Sequence, residues 1–385
     1  MGGSSVISGI LRKTIIIGAV PLVFLYIVVP ILFFVFPHFM QHIFFLNFVK
    51  VPFLDYKNLT AHGVKYIGRP FYLEEKGAKV VCGGKEPILG VWHILPKVLS
   101  DKYERQIKLK KRGKLTDVEF ENLLNTGNQG IVLYFHGNSF DRTNSHRTDL
   151  YNSLASMNFH VLAIDYRGYG DSTGSPSEDG LIEDAHFIYN YAREKAPNKN
   201  IYIWGHSMGT GVASRFVAEI SEKGIPPAGT ILESPFNNIH DVVKNHPFSK
   251  PFRWLGSYFD MLLINRWVDS GLVMRSDKSI TQFKCPILIL HAADDHIIPI
   301  NLGKALADSA KKAKKDVKFV EFEANLNLRH KFIHKAPHFT EILTYGTKPP
   351  DLIDLNLSAC LLQVVSLKEH LTPNSLGGNW IPFMP

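Results

Sequence analysis

The pentapeptide Gly205-His206-Ser207-Met208-Gly209 lies between the apolar run Ile201-Tyr202-Ile203-Trp204 and the small-residue stretch Thr210-Gly211-Val212-Ala213-Ser214. A β-favouring run that ends in Gly-x-Ser-x-Gly and passes at once into a helix-compatible segment has the layout of a nucleophile elbow. In that turn the glycines let a strand bend sharply into a helix, and the serine is held strained with its hydroxyl exposed. Small residues behind it let the helix start pack close to the sheet. The pentapeptide alone recurs by chance, so its strand and helix flanks give it weight. A serine hydroxyl is also a poor nucleophile until a base takes its proton and a third group orients that base. The rest of the chain must therefore bring two further side chains to the end of this strand.

Further strands are readable as apolar runs. Ala78–Cys82 and Ile88–Ile94 suggest two leading antiparallel strands, followed by a charged insert with Lys108, Lys110, Lys111 and Arg112 that reads as a solvated loop. Gly130–Phe135 runs into His136-Gly137-Asn138, and Phe159–Asp165 ends in Asp165-Tyr-Arg-Gly-Tyr-Gly-Asp171. Ser177 to Glu194 has helical spacing, with Gly180 where a capping box would place an acid. Ile201–Trp204, Gly229–Leu232, Pro286–Leu290 and Val317–Phe322 complete the strands. Strand alternating with helix at this spacing predicts an α/β fold, a mostly parallel sheet covered on both faces. Residues 236–283 interrupt the alternation with Phe248, Phe252, Trp254, Tyr258, Phe259 and Trp267, and are expected to form a cap in which these side chains either make an ordinary helical core or in part line an acyl-chain channel.

In a doubly wound sheet the partners of Ser207 come from loops at the carboxyl ends of later strands. Pro286-Ile-Leu-Ile-Leu-His291 is such a strand, and the adjacent Asp294 and Asp295 that follow compete for the acid role. The base is expected after the last strand, where His330, His334 and His338 are candidates. An acyl reaction also needs donors aimed at the developing oxyanion. The N–H of Met208 is one, and the second is expected from Asn138 or its neighbour Ser139. His136 and Asp141 fit a His-x4-Asp spacing, but they coincide with this same loop.

Residues 14–36 contain no charged side chain, and as a helix they would span roughly 34 Å at about 1.5 Å per residue, enough to cross a bilayer. Pro21 and Pro30 are better tolerated in a membrane helix than in a soluble one. No small-x-small cleavage site follows Phe36, so the stretch reads as a transmembrane signal anchor rather than a cleaved leader. Residues 1–13 would form a cytosolic tail and residues 37–77 a membrane-proximal neck, aromatic at Phe39, Phe44, Phe45, Phe48 and Phe53. The neck reads either as packing on the body or as lying at headgroup depth. Arg12-Lys13 before the anchor and the sequons at Asn58 and Asn356 favour a lumenal or extracellular body, with Asn58 the expected glycosylation site. The formal charge of +8 is not gathered into an arm with interleaved aromatics, which argues against nucleic acid as a partner. Cys82, Cys285 and Cys360 show neither metal-ligand spacing nor a disulfide framework.

The ordered set His136-Gly-Asn138, Asp165-Tyr-Arg-Gly-Tyr-Gly-Asp-Ser172, Gly205-His-Ser-Met-Gly-Thr-Gly-Val-Ala213, Glu233-Ser-Pro-Phe-Asn-Asn-Ile239 and His291-Ala-Ala-Asp-Asp295 resembles membrane-anchored α/β-hydrolase-domain lipases, in particular those acting on lysophosphatidylserine and monoacylglycerols. Leu46-Asn-Phe-Val-Lys-Val-Pro52 and His246-Pro-Phe248 are similar too, and the resemblance covers roughly residues 40–340. It implies an α/β-hydrolase domain over residues 78–340 with its cap at about 236–283. It maps the acid to Asp295, four residues after His291, and the base to His330 of Arg-His-Lys, with no catalytic role for His334. Ser207, Asp295 and His330 would then form the triad, with Met208 and Asn138 as oxyanion donors and no cofactor or metal. The implied activity is cleavage of acyl esters to a free fatty acid and a glycerol-containing headgroup. The implied setting is the endoplasmic reticulum membrane with a lumenal body, or the plasma membrane with an extracellular one. A thioesterase or peptidase on the same scaffold, or an inactive membrane scaffold, are the alternatives. The chain departs from the resemblance after about Pro337, and residues 341–385 read as an atypical tail.

Overall fold

The apolar runs join into one eight-stranded sheet because alternate side chains of each strand are buried on opposite faces. A computed structural model describes residues 17–36, 41, 44–74, 87–128 and 130–347. Its strands are β1 (Gly68–Glu74), β2 (Ile88–Ile94), β3 (Ile131–Phe135), β4 (His160–Ile164), β5 (Ile201–His206), β6 (Gly229–Glu233), β7 (Ile287–Ala292) and β8 (Val317–Phe322). They lie in the order β1-β2-β4-β3-β5-β6-β7-β8. β2 runs antiparallel to β1 and β4, and all other neighbours are parallel.

Among the helices that cover this sheet are α1 (Ser145–Ser156), α2 (Glu178–Lys195), α3 (Met208–Glu222) and α4 (Ile300–Lys312). Within β3, Ile131, Leu133 and Phe135 pack with residues of α2, α3 and α4, whereas Val132 and Tyr134 pack with residues of α1. The α2 start needs no acid at Gly180, because the Ser177 hydroxyl itself accepts the Gly180 N–H at 3.1 Å.

The parallel register leaves the strand ends nearly flush. Phe135 pairs with Gly205, His206 with Glu233, Glu233 with Leu290, and Ala292 with Phe322. The connection after β3 leads to one side, into β4, and that after β5 to the other, into β6. Their carboxyl ends therefore flank the switch point, where an open α/β sheet leaves a crevice.

Of three expectations, one stays open: the strand expected over Ala78–Cys82 lies outside the described residues, and among those described the sheet opens with Gly68–Glu74. The charged insert is a loop at Lys110, Lys111 and Arg112 as expected, but it is flanked by helices, Lys97–Lys108 and Asp117–Leu124, the second started by a Thr116/Glu119 capping box. Among the described residues no helix is long and apolar enough to cross a membrane, so the transmembrane helix expected over residues 14–36 is not shown. Residues 17–35 are helical, but a π turn at Phe24–Val28 divides them, the Val29 N–H bonding to the Phe24 carbonyl. Pro30 explains it: its ring crowds the carbonyl four residues back and it has no N–H to offer.

Within the cap region, Ile239–Asn245, a 3-10 segment Pro247–Leu255 and Asn265–Asp269 are helical. In the neck Phe45, Leu59 and Val64 are buried against the body while Phe48 and Phe53 are exposed, so only part of the neck packs on the body.

Candidate active site

Ser207 follows the last residue of β5 and precedes the first of α3 with φ 55° and ψ −121°, a backbone conformation that costs an L-residue of order 1–3 kcal/mol. The surroundings over-determine it. The Ser207 N–H donates to the Glu233 carbonyl at 3.0 Å, and the Thr210 hydroxyl donates to the Ser207 carbonyl at 2.6 Å. A Cβ on Gly205 would stand 2.5 Å from the Gly209 carbonyl oxygen, and one on Gly209 would overlap the Phe135 carbonyl. Both glycines of the pentapeptide are thus required by close backbone approach, the second because α3 starts against the end of β3.

The two aspartates after β7 divide their work. Asp295 Oδ2 accepts from His330 Nδ1 at 2.7 Å, while its Oδ1 accepts the N–H groups of Ile297 and Ile298 at 2.9 Å each. Burial pushes the Asp295 carboxyl up, but the electrostatic attraction of His330 and hydrogen bonds from His291 and His330 outweigh it and hold the group well below the usual carboxylate range. Asp294 instead accepts the Arg329 N–H at 2.9 Å, fastening the loop that carries His330.

Of the three histidines only His330 meets an aspartate of this pair. His334 lies 3.7 Å from Asp149, with Lys65, Tyr66, Asn152 and Lys335 around a separate polar pocket. Burial lowers its pKa to about 4. His338 is exposed and bonded to Glu341 at 2.9 Å.

The loop after β3 passes the nucleophile closely, since a Cβ on Gly137 would stand 3.3 Å from that of Ser207. Arg147, on α1, fixes this loop by donating to the carbonyls of Asp141 at 2.6 Å and Ser139 at 2.7 Å. The Asn138 side chain donates to the Phe44 carbonyl at 3.0 Å, and the Asn138 backbone carbonyl accepts from the Tyr169 hydroxyl at 3.3 Å. Met208 opens α3, where first-turn N–H groups lack intrahelical partners. His136 and Asp141 do not form a dyad: the buried His136 ring faces the Gly137 carbonyl and Asp165, whereas Asp141 binds Tyr56 at 2.8 Å.

Sequence reasoning missed three contributors. His206 donates from Nε2 to the His330 carbonyl at 2.9 Å, its ring 5.1 Å from that of His330. Burial, then the neighbouring His330, lowers its pKa well below the ordinary value and keeps it neutral. Arg147 and the neck carbonyl of Phe44 brace the oxyanion loop. A titratable residue beside the nucleophile was the available signal for His206. For Arg147 and Phe44 no local pattern existed.

Glu233 is buried beside the elbow. Burial raises its pKa to about 8, opposed by the indole N–H of Trp204, which donates to it at 2.9 Å. The Asp165–Asp171 motif holds the buried Arg142, which pairs with both acids under the rings of Tyr56 and Trp92. Cys285 is a buried free thiol; Cys82 and Cys360 lie outside the described residues. Among the described residues no three His, Cys, Asp or Glu side chains converge to hold a metal ion.

This arrangement is similar to known hydrolases. The family described as serine aminopeptidase, S33, matches residues 126–278. The lysophosphatidylserine lipase ABHD12 of Danio rerio is 38% identical over 332 residues, covering 85% of this chain and 81% of that protein. Its Mus musculus counterpart is 36% identical over 323 residues, covering 83% and 76%. Protein ABHD12B of Homo sapiens is 34% identical over 301 residues, covering 76% of each chain. Among solved structures, an α/β hydrolase from Vibrio vulnificus superposes with a TM-score of 0.54 at 17% identity, covering 80% of this chain and 92% of that one. An esterase of Pyrococcus furiosus gives a TM-score of 0.52 at 16% identity, covering 77% and 96%. These two share the fold.

Proposed function

The chain belongs to the family of the lysophosphatidylserine lipases ABHD12, and on that premise we propose that it is a membrane-bound serine hydrolase that cleaves the acyl ester of lysophospholipids, lysophosphatidylserine above all. The observation that carries the proposal is the 2.7 Å bond from His330 Nδ1 to Asp295, on loops at the same sheet edge as the strained Ser207. Ser207 Oγ attacks the ester carbonyl carbon while His330 Nε2 takes its proton. The carbonyl π pair moves onto oxygen, where the N–H groups of Met208 and Asn138 receive the charge. Collapse of this adduct breaks the ester C–O bond, and His330 returns the proton to the departing glycerol oxygen. Water, deprotonated by His330, then attacks the acyl-serine, releasing the fatty acid and restoring the Ser207 hydroxyl. Asp295 stays ionised throughout, holds the Nδ1 tautomer and offsets the imidazolium charge.

Monoacylglycerols present the same ester and are the finer part of the proposal. An amide substrate is a second reading, favoured only by the aminopeptidase description matched over residues 126–278. The membrane part rests on the uncharged residues 14–36 and on the exposed apolar side chains of that stretch, among them Ile17, Phe24, Ile31 and Phe34. The exposed Asn58 of Asn58-Leu59-Thr60 supports a glycosylated body in the endoplasmic reticulum lumen. Asn356 lies outside the described residues.

The test is a fluorophosphonate probe on membranes expressing the protein, with lysophosphatidylserine as competitor. Labelling at Ser207 that the lysolipid blocks, and that an arylamide does not, is the expected result. Absence of labelling in folded protein would overturn the enzyme proposal. An Asn58 band insensitive to endoglycosidase would overturn the lumenal placement.

A further inference from the structure

The cap carries two kinds of apolar side chain. Phe252, Phe259 and Ile264 are buried together, and the helical stretch of residues 17–35 closes this cluster with Leu25 and Tyr26. Tyr26 is the main contact. Its hydroxyl donates to the Pro251 carbonyl at 2.7 Å, and its ring meets Phe252 and Trp254 edge-on, centroids 5.6 Å away in each case. A second contact lies toward the body, where the Arg266 guanidinium sits 5.0 Å from the Phe34 ring. Tyr26 and Phe34 are eight residues apart, about 12 Å along a helix. The cap is therefore fixed alongside the stretch over that length.

The other kind faces outward from the same segment. Trp254 is 70% exposed and Tyr258 64%, with Met261 and Val268 also exposed. Trp254 joins them to the helical stretch through its ring contact with Tyr26. Large aromatic groups concentrated on one surface in this way mark an interaction site.

We propose that the cap segment 251–268 is a second membrane contact, seated with residues 17–35 in the acyl region of the bilayer to a depth set by Tyr26. The inference rests on the membrane reading made above and adds to it which part of the body enters lipid. If the uncharged stretch is embedded, whatever packs against its middle is surrounded by lipid too, and Trp254 packs there. The charges agree with this occupant. The two acids of residues 251–269 are paired, Asp260 with Lys244 at 3.8 Å and Asp269 with Arg266 at 2.8 Å. Lys250 and Arg253 are exposed at the edge, where lipid phosphates would lie. Aromatic side chains with a polar tip, such as Trp254 and Tyr258, suit the interface at which such a segment enters. A single-chain lipid could then move along the cap toward Ser207 without crossing water.

The experiment uses the full chain reconstituted into phosphatidylcholine vesicles whose acyl chains are brominated, with tryptophan emission as the readout. Brominated lipid is expected to quench part of the emission, and that part should shrink in Trp254→Phe, any remainder coming from Trp267 of the same segment. Adding Tyr258→Trp to that variant should restore the lost part, which guards against a fold defect from the first substitution. Flotation with the vesicles and fluorophosphonate labelling of Ser207 are followed in parallel. Protein that floats and labels, but whose quenching is the same with and without Trp254, overturns the cap contact alone. Protein that labels but does not float overturns the membrane reading and the cap contact together.

Discussion

Ser207 combines a strained backbone conformation with the candidate nucleophile, and the two can be separated by substitution. At φ 55° an alanine keeps the strain and a glycine relieves it. Ser207→Gly is therefore expected to melt higher than Ser207→Ala, by about 1 kcal/mol of stability, with neither variant labelled by a fluorophosphonate. Equal melting temperatures would mean that the elbow is not strained. Glu233 makes a different prediction. Its pKa is raised from 4.5 to about 8 by burial, so the folded chain keeps a proton that the unfolded chain releases between those values. The penalty is absent below pH 4.5, grows as pH rises toward 8, and is constant above. Glu233→Gln retains an acceptor for the Trp204 indole and should gain thermal stability relative to the parent chain between pH 5 and 9. A pH-independent difference between the two would contradict the buried, protonated state. Sequence chemistry could not choose between Asp294 and Asp295, two identical side chains side by side. Their roles are set by which backbone N–H groups each one meets, and these belong to Ile297, Ile298 and Arg329.

At the scale of elements, the elbow is a tight junction between backbones. A methyl group on Gly205 would lie 2.5 Å from the Gly209 carbonyl oxygen, and backbone on both sides prevents either from moving aside. Gly205→Ala should cost roughly 1–3 kcal/mol or more, read by thermal denaturation, and should lower the rate of probe labelling at Ser207. An unchanged melting temperature would show that β5 and α3 can separate. The strands from β3 to β7 were legible because both faces of each are buried, which leaves near-continuous apolar runs; β8, at the edge and only partly buried, showed instead as apolar residues interspersed with charged ones. β1 was not, since Gly68-Arg69-Pro70 opens it and a buried arginine interrupts its pattern. Arg69 is accommodated by Asp117 at 2.7 Å and by the rings of Phe71 and Phe120, partners that only the fold supplies. The insert helices were misread although Thr116 and Glu119 carried a readable capping signal, because the lysines and arginine between them dominated the pattern.

At the scale of the whole molecule, the strand order brings residues far apart in sequence to one edge. His136 to Asn138, Ser207, Asp295 and His330 all follow strands whose carboxyl ends are flush, so the order of motifs along the chain was enough to anticipate which loops would meet. How residues 17–35 lie against the cap was not legible, since an uncharged run states its preference for an apolar environment without saying which one. Deleting residues 1–36 should lower hydrolysis of long-chain lysolipid in vesicles far more than hydrolysis of a short soluble ester, because the triad lies outside the deleted part. Equal losses would reduce the stretch to a role in folding or targeting.

The most direct test of the central proposal is turnover of lysophosphatidylserine in vesicles by a matched set of variants, each normalised to folded protein. Ser207→Ala and His330→Ala should each lose roughly 10⁶-fold, the scale measured for removing a triad nucleophile or base in another serine hydrolase. Asp295→Asn should lose about 10⁴-fold, whereas Asp294→Asn and His334→Ala retain most of the activity. Hydrolysis that survives His330→Ala and disappears in His334→Ala would contradict the triad outright.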